Sequence, residues 1–276
     1  MTQTFIKKEG TYLFNPITDT FIQPFMKQAM ASYSTKRLSW NGLSSSQLVI
    51  FEEFQLYSDE TMYLDVFPDS YASIFFRLNP ETQEVAAFYF GKMLTTNQIS
   101  FTSGCTYFSV RLPPCLLFKE TRFPPDHYIN KTVSLDEWTP VFQQFDAKQL
   151  FHLSFDDKIS FFQSFVKDYY PYHNHPIISF VLINAAKNKK ASIKELALEL
   201  GVSDRHIRNV FSQHIGVSPK QMMQAVRLQR TLALLEKTDC LTETFISSDF
   251  YDQAHLTKFI KEATLYKPSD LKKLGQ

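Results

Sequence analysis

The C-terminal third of the chain contains one sequence pattern twice, at residues 195–219 and 243–268. The first copy reads ELALELGVSDRHIRNVFSQHIGVSP and the second reads ETFISSDFYDQAHLTKFIKEATLYKP. The second copy has one extra residue in its turn, after which Pro219 aligns with Pro268. Because both copies have to form the same unit and pack beside each other, the repeat restricts the fold more than composition does.

The first copy carries the signals of two helices joined by a tight turn. Ser192 and Glu195 form a capping box that starts one helix. Gly201 stands where that helix ends, because glycine adopts a left-handed conformation at the lowest cost. Ser203 can cap the next helix, whose apolar residues at i, i+3 and i+4 are Ile207, Val210 and Phe211. This pattern predicts a helix-turn-helix unit whose second helix has a free outer face.

A third helix is predicted to join the two copies. Ser218 is a capping residue and Pro219 suits the first helical position. The apolar pattern continues to about Glu236. The short basic segment KNKKA at 187–191 is predicted to be an interdomain linker in front of this region.

These residues resemble the DNA-binding domain of the AraC/XylS family of transcription regulators. The resemblance covers residues 192–274 and is carried by L-A-x-E-L-G-V-S and F-x-x-x-x-G-V-S-P in the first copy, R-L-x-x-x-x-x-L-L from Arg227 in the joining helix, and F-x-D-Q with K-P in the second copy. It implies two helix-turn-helix units on one rigid helix, entering successive major grooves. RLPP at 111–114 and INKTVSLDEW at 129–138 are similar to the end of a cupin-like sensor domain in some members.

The second copy departs from the family pattern at several positions. Asp249 and Leu265 stand where glycine is usual, and Phe245 stands where a small residue is usual. Thr231 replaces a typical alanine in the joining helix. We therefore expect the sequence of the second unit to determine its fold less strongly than that of the first unit does.

The outward faces of the two second helices are predicted to contact DNA, because arginine reads guanine and asparagine reads adenine in the major groove. In the first unit these residues are Arg205, Arg208, Asn209 and Ser212, flanked by His206. In the second they are Ala254, Thr257, Lys258 and Lys261, flanked by Gln253 and His255. Ser203 and Lys220 lie near helix N-termini that could hold phosphates. Arg227 is expected to be a structural partner.

The rest of the chain predicts an α+β protein with a different N-terminal architecture. Short β-branched and aromatic runs between Gln47 and Phe118 favour a cupin-like sandwich or barrel. We expect a further strand or two before them and a polar loop through SYSTKR and GLSSS. Capping signals at 134–137 and 154–157 and the segment 175–186 predict helices. The predicted domains are residues 1–133 for sensing, 134–186 for dimerisation or interdomain contact, and 187–276 for DNA binding.

Charge and composition limit the alternatives. Residues 187–276 carry 15 Lys+Arg and 10 Asp+Glu, a net +5, whereas residues 1–186 carry 14 and 18, a net −4. All seven histidines lie at or after His127, so the predicted sheet lacks the usual metal ligands of cupin enzymes, and no metal or cofactor is expected. Arg77 and Arg111 are candidates for holding an anionic effector. The chain has no apolar run long enough for a membrane span and is expected to be cytosolic.

The sequence therefore predicts a non-enzymatic DNA-binding regulator that recognises double-stranded DNA. The resemblance favours an activator, which would contact RNA polymerase, with a small-molecule effector and a homodimer as further expectations. Two alternatives remain open. One is a DNA-alkylation-repair protein with a cysteine methyl acceptor, although the chain has three cysteines and no Pro-Cys-His sequence. The other is a regulator that acts through partner proteins because its second unit is degenerate.

Overall fold

The computed structural model describes residues 30–38, 48–56, 60–118, 120–169, 172–187, 192–237, 244 and 250–274. The strands of this part are β1 Met30–Leu38, β2 Val49–Leu56, β3 Met62–Val66, β4 Ala72–Asn79, β5 Glu84–Phe90, β6 Asn97–Phe101, β7 Thr106–Leu112, β8 Leu116–Phe118, β9 Thr132–Ser134 and β10 Tyr172–Asn174.

The helices of the described residues are α1 Leu135–Trp138, α2 Phe155–Tyr169, α3 Pro176–Ala186, α4 Ile193–Glu199, α5 Asp204–Ile215, α6 Pro219–Lys237, α7 Gln253–Thr264 and α8 Pro268–Leu274. Three 3-10 helical segments lie between strands and helices, at Pro125–Tyr128, Pro140–Gln144 and Ala147–His152. The predicted α+β class is confirmed.

Six strands form one antiparallel sheet in the order β1-β2-β7-β4-β5-β9. One face of this sheet carries Phe51, Phe76 and Phe108, which pack against Phe162 of α2 and its neighbours. The opposite face carries Phe54 and Tyr107, whose rings contact Phe101 of the separate β3–β6 pair. Successive residues of these strands point to opposite faces, and both faces carry apolar side chains. The sheet is therefore buried on two sides.

The segment SYSTKR forms part of β1, so the predicted polar loop is wrong over these residues. The strand pairs with β2 at the edge of the six-stranded sheet, and most of its side chains are exposed. Lys36 instead makes an ion pair with Asp156 of α2, at 2.7 Å. An edge strand that faces solvent needs few apolar residues, which explains why the pattern resembled a loop. GLSSS lies outside the described residues.

The predicted helix starts are confirmed at several positions. Ser134 and Glu137 form a capping box, although α1 has only four residues. The same reciprocal arrangement of Ser192 and Glu195 begins α4. Gly201 adopts the predicted left-handed conformation, with φ +66°.

A continuous apolar core joins the N-terminal sheet to the first helix-turn-helix unit. It runs from Phe108 through Phe162 and the α3 residue Val181 to Ile207 and Phe211. The second unit has a separate core, formed by the joining helix α6 together with α7 and α8. No helix among the described residues is long and apolar enough to cross a membrane.

Candidate DNA interface

Helix α5 is fixed by a cap at its start and by a buried stripe along one side. The Ser203 hydroxyl accepts a hydrogen bond from the His206 backbone N–H at 3.1 Å. Ile207 and Phe211 are fully buried, and Val210 is nearly so. The helix ends at Gly216, whose φ of +81° is left-handed. The sequence therefore determines the position of the helix and its rotation about its own axis.

The opposite side of α5 is open to solvent. The side chains that sequence analysis predicted for DNA contact are all exposed there: Arg205, His206, Arg208, Asn209 and Ser212. The Arg208 Nε lies 3.7 Å from Asp204 Oδ2 one turn earlier, and both side chains are exposed. Such a surface pair is weak, so Arg208 is available to exchange it for a nucleic-acid contact.

Helix α7 repeats this arrangement in the second unit. Asp252 caps it by accepting a hydrogen bond from the His255 N–H at 2.6 Å. Leu256 and Ile260 are fully buried. On the outer side Gln253, Ala254, His255, Lys258 and Lys261 are exposed, while Thr257 is half-buried. Lys258 lies 3.8 Å from Glu262, again an exposed pair.

Two features near α7 were not predicted from the sequence. Asp252 was noted only as part of the family motif, although its spacing before the helix is typical of a cap. Tyr251, directly before it, is 90% exposed, which is unusual for an aromatic side chain. The predictions for Phe245 and Asp249 fall outside the described residues.

Leu265 adopts a left-handed conformation at the end of α7, with φ +70°. It is the counterpart of Gly216 at the end of α5. Among L-residues this conformation costs about 1–2 kcal/mol, which glycine avoids. The second unit therefore keeps the turn of the first without the residue that favours it.

The joining helix α6 is held to the second unit by an aromatic contact. The guanidinium of Arg227 lies 3.9 Å from the ring centre of Phe250 and 5.4 Å from that of Phe259. This geometry fits the expected structural role of Arg227. Lys220 lies exposed in the first turn of the same helix, after a capping box made by Ser218 and Gln221.

Comparison with known proteins agrees with this geometry. Residues 196–274 match the family model described as "Helix-turn-helix domain". The C-terminal domain is of the AraC/XylS type. No match was found among curated proteins.

Several solved structures are similar to this chain. ToxT from Vibrio cholerae, in a form bound to an unsaturated fatty acid, is 11% identical, with 89% of this chain and 96% of that chain covered and a TM-score of 0.42. The C-terminal domain of AraT, a response regulator from Geobacillus stearothermophilus, is 18% identical over 36% of this chain and 85% of its own, with a TM-score of 0.34. A probable AraC family transcriptional regulator from Rhodopseudomonas palustris is 24% identical, with 36% of this chain and 94% of that chain covered and a TM-score of 0.31.

The N-terminal half contacts both units of the AraC/XylS-type domain. Gly216, after α5, lies against the 3-10 segment Pro125–Tyr128. At the second unit, Tyr266 donates a hydrogen bond to Asp65 at 2.5 Å. Thr96 donates one to the Ala263 carbonyl at 2.8 Å. None of these contacts covers the outer faces of α5 and α7.

Phe67 is the apolar part of the same interface. It belongs to the N-terminal half, directly after β3, yet it is fully buried in the core of the second unit with Leu228 and Leu256. Its ring lies 5.9 Å from that of Tyr266. The next residue, Pro68, accepts a hydrogen bond from the Gln229 side chain at 2.7 Å. A segment of the N-terminal half therefore completes the core of the second helix-turn-helix unit.

Arg111 is buried on strand β7 of the N-terminal sheet, where acidic partners compensate its charge. It forms an ion pair with Asp69, and its Nη1 lies 3.9 Å from Glu52. Burial alone would lower the pKa of Arg111, but Asp69 and Glu52 more than offset it and raise the pKa. The adjoining cavity is only about 60 Å³. Sequence analysis missed both carboxylates, because they lie on separate segments that meet only in the fold.

Arg77, the other candidate for effector binding, does not share a site with Arg111. Its Nη1 donates a hydrogen bond to Thr102 at 3.1 Å, and its guanidinium lies 5.9 Å from the Phe88 ring centre. It is absent from the residues that line the cavity beside Arg111. The two arginines were proposed together but lie in different surroundings.

Proposed function

We propose that this protein is a sequence-specific DNA-binding transcription regulator whose two helix-turn-helix units engage one duplex. The observation that carries the proposal is the exposed face of α5, on which Arg205, Arg208 and Asn209 stand opposite a fully buried stripe. Side chains of these types match the hydrogen-bonding groups of guanine and adenine in the major groove. The Ser203 cap and the buried stripe fix the orientation of this face in the absence of DNA.

The two units are proposed to contribute differently. In α5 we assign base reading to Arg205, Arg208 and Asn209, because all three lie on the exposed face. In α7 we assign mainly phosphate contact to Lys258 and Lys261, since lysine binds phosphates as a point charge. Tyr251 lies beside the start of α7 and is exposed enough to add a contact. The second unit then contributes affinity more than specificity.

The N-terminal half is proposed to sense a small effector, to dimerise, or both. Its contacts with both units support this role, because a shift of the N-terminal half would change how α5 and α7 are held relative to each other. Activation through RNA polymerase is the further expectation that the family resemblance carries. We also propose a cytoplasmic location, the compartment in which a bacterial regulator meets DNA.

The cysteines give little support to the alternative of a methyl-accepting repair protein. Cys105 and Cys115 are both buried. Burial raises the pKa of the Cys115 thiol to about 12, the opposite of the activation that a methyl acceptor needs. Cys240 lies outside the described residues, so intact-mass measurement after incubation with methylated DNA tests it directly.

Selection of bound duplexes from a random DNA pool tests the proposed function. The full-length chain is used, alongside an Arg208→Ala variant and a control variant, Lys148→Ala, at an exposed position outside the interface. We expect the wild type and the control to enrich the same sequence. Arg208→Ala should lose preference at one base pair and weaken binding by about 1–3 kcal/mol. Enrichment of no sequence by the wild type would contradict the proposal.

Measuring DNA affinity at several salt concentrations then distinguishes binding by two helix-turn-helix units from binding by one. Each neutralised phosphate adds about −0.9 to the slope of log affinity against log salt concentration. Lys258→Ala and Lys261→Ala together should therefore make the slope shallower by about two. An unchanged slope would favour the alternative in which the second unit has lost DNA binding and the protein acts through partners.

A further inference from the structure

A cavity of about 290 Å³ lies between the N-terminal half and the first helix-turn-helix unit. Gln213 and His214, at the end of α5, form one side of it. Lys92 and Leu117 lie on the N-terminal side. The volume is close to the lower end of the range for small-molecule sites. A molecule in this space would contact both the sensing half and a helix proposed to read DNA.

Three aromatic residues, Tyr89, Tyr128 and Trp138, form part of the N-terminal wall of the cavity. The rings of Tyr89 and Trp138 are stacked with centres 4.0 Å apart and an interplanar angle of 6°. Tyr128 meets Tyr89 edge-on at 5.5 Å. All three side chains are buried in the protein core, so the wall keeps its shape without a ligand. Aromatic side chains at the wall provide apolar contact area and can pair with an aromatic ring of a ligand.

Lys92 provides the charge of the site. Among the described residues no carboxylate lies within ion-pair distance of its ammonium group. Burial lowers its pKa to about 8, so the side chain is still mostly charged at neutral pH. Cys115 lies near, but its raised pKa leaves it a neutral thiol that does not balance the charge. Arg111 is paired with acids, whereas this lysine lines an open cavity.

We propose that this cavity binds an organic monoanion, a carboxylate attached to a flat apolar body. The carboxylate pairs with Lys92, the apolar body lies along Trp138 and Tyr89, and the far end contacts Gln213 and His214. Gln213 directly follows the DNA-facing residue Ser212 in α5. The effect of such a ligand on DNA rests on the proposed function, whereas its binding to the cavity does not.

The test compares two probes that differ mainly in charge. Calorimetric titration of the full-length chain with 2-naphthoate and with neutral 2-naphthalenemethanol, without DNA, measures the contribution of the anion. Because a hydrogen bond to a charged group is worth about 1.5–3 kcal/mol, 2-naphthoate should bind at least about tenfold more tightly. Lys92→Met should abolish this preference, and Lys148→Met should keep it. Equal binding of the two probes, or an unchanged preference in Lys92→Met, overturns the proposal.

Hydrogen exchange of the wild type locates the probe without a variant. With 2-naphthoate present, amide protection should increase at the end of α5 and at Leu116–Phe118, which line the cavity. Protection that increases only elsewhere overturns the assignment of the site. Failure of the DNA selection alone would leave these binding results intact, so the two proposals fail separately.

Discussion

A Cβ atom on Gly216 would lie 2.3 Å from the backbone nitrogen of Asp126, a residue 90 positions earlier in the chain. The same atom would lie 2.7 Å from the Pro125 carbonyl carbon. The contact therefore involves backbone that cannot move aside as a flexible side chain can. Glycine at this position serves two purposes, since it also adopts φ +81°.

Gly216→Ala is expected to destabilise the chain more than Gly201→Ala. Both glycines have positive φ, so both substitutions incur about 1 kcal/mol of backbone strain. Only the change at Gly216 adds a clash, because nothing lies within 4 Å of a Cβ at Gly201. Urea unfolding of the two variants measures the difference. Equal loss of stability would show that the contact with Asp126 is absent in solution.

Leu265→Gly is expected to stabilise the second unit by about 1 kcal/mol, because it removes the cost of a left-handed leucine. The side chain is 69% exposed, so little buried surface is lost. Leu198→Gly is the matched control, since Leu198 is 83% exposed but lies within α4, where glycine should destabilise. Thermal unfolding measures both changes. A loss of stability in Leu265→Gly would refute the left-handed assignment.

Phe67→Ala is expected to weaken the attachment of the second unit to the N-terminal half. Truncation of a fully buried phenylalanine costs about 3–5 kcal/mol. Hydrogen exchange should become faster in α7 and α8 of the variant. Tyr63→Ala, at an exposed position on the nearby strand β3, should leave exchange unchanged. Unaltered protection in Phe67→Ala would mean that the second unit does not depend on this side chain.

Lys92 is expected to make stability rise with pH between about 8 and 10.5. Its pKa is about 8 in the folded chain against an ordinary value of 10.5, so the unfolded state binds more protons across this window. The contribution of Lys92 to the free energy of unfolding therefore becomes more favourable as pH rises through this window. Burial raises the pKa of nearby Tyr89, Tyr128 and Cys115, so these groups keep their protons longer in the folded chain and oppose the rise above their ordinary pKa values.

Urea unfolding of the wild type and Lys92→Met at several pH values isolates this effect, because His214 and all other titrating groups are present in both proteins. The wild type should gain stability relative to the variant as pH rises. A difference between them that stays constant from pH 7 to 10 would contradict the assigned burial of Lys92.

Local signals were sufficient to predict the helices of the first unit, because caps, glycine turns and apolar stripes are each set by neighbouring residues. A further strand was expected before Gln47, but the segment that forms β1 was assigned to a loop, because an edge strand tolerates polar side chains. Phe67 was not recognised as part of the second unit, since its partners Leu228 and Leu256 are more than 150 residues away in sequence. The cavity at Lys92 likewise exists only where the N-terminal half meets α5. Contacts between segments that are distant in sequence can be identified only from the folded structure.

The most direct test of the tandem arrangement is protection of guanines from methylation in the selected duplex. Methylation occurs in the major groove, where both α5 and α7 are proposed to bind. We predict protection in two groove segments on one face of the duplex, about 10 base pairs apart, with Arg208→Ala losing protection in one segment only. Protection confined to a single segment in the wild type, or persistence of both segments in Arg208→Ala, would contradict the account.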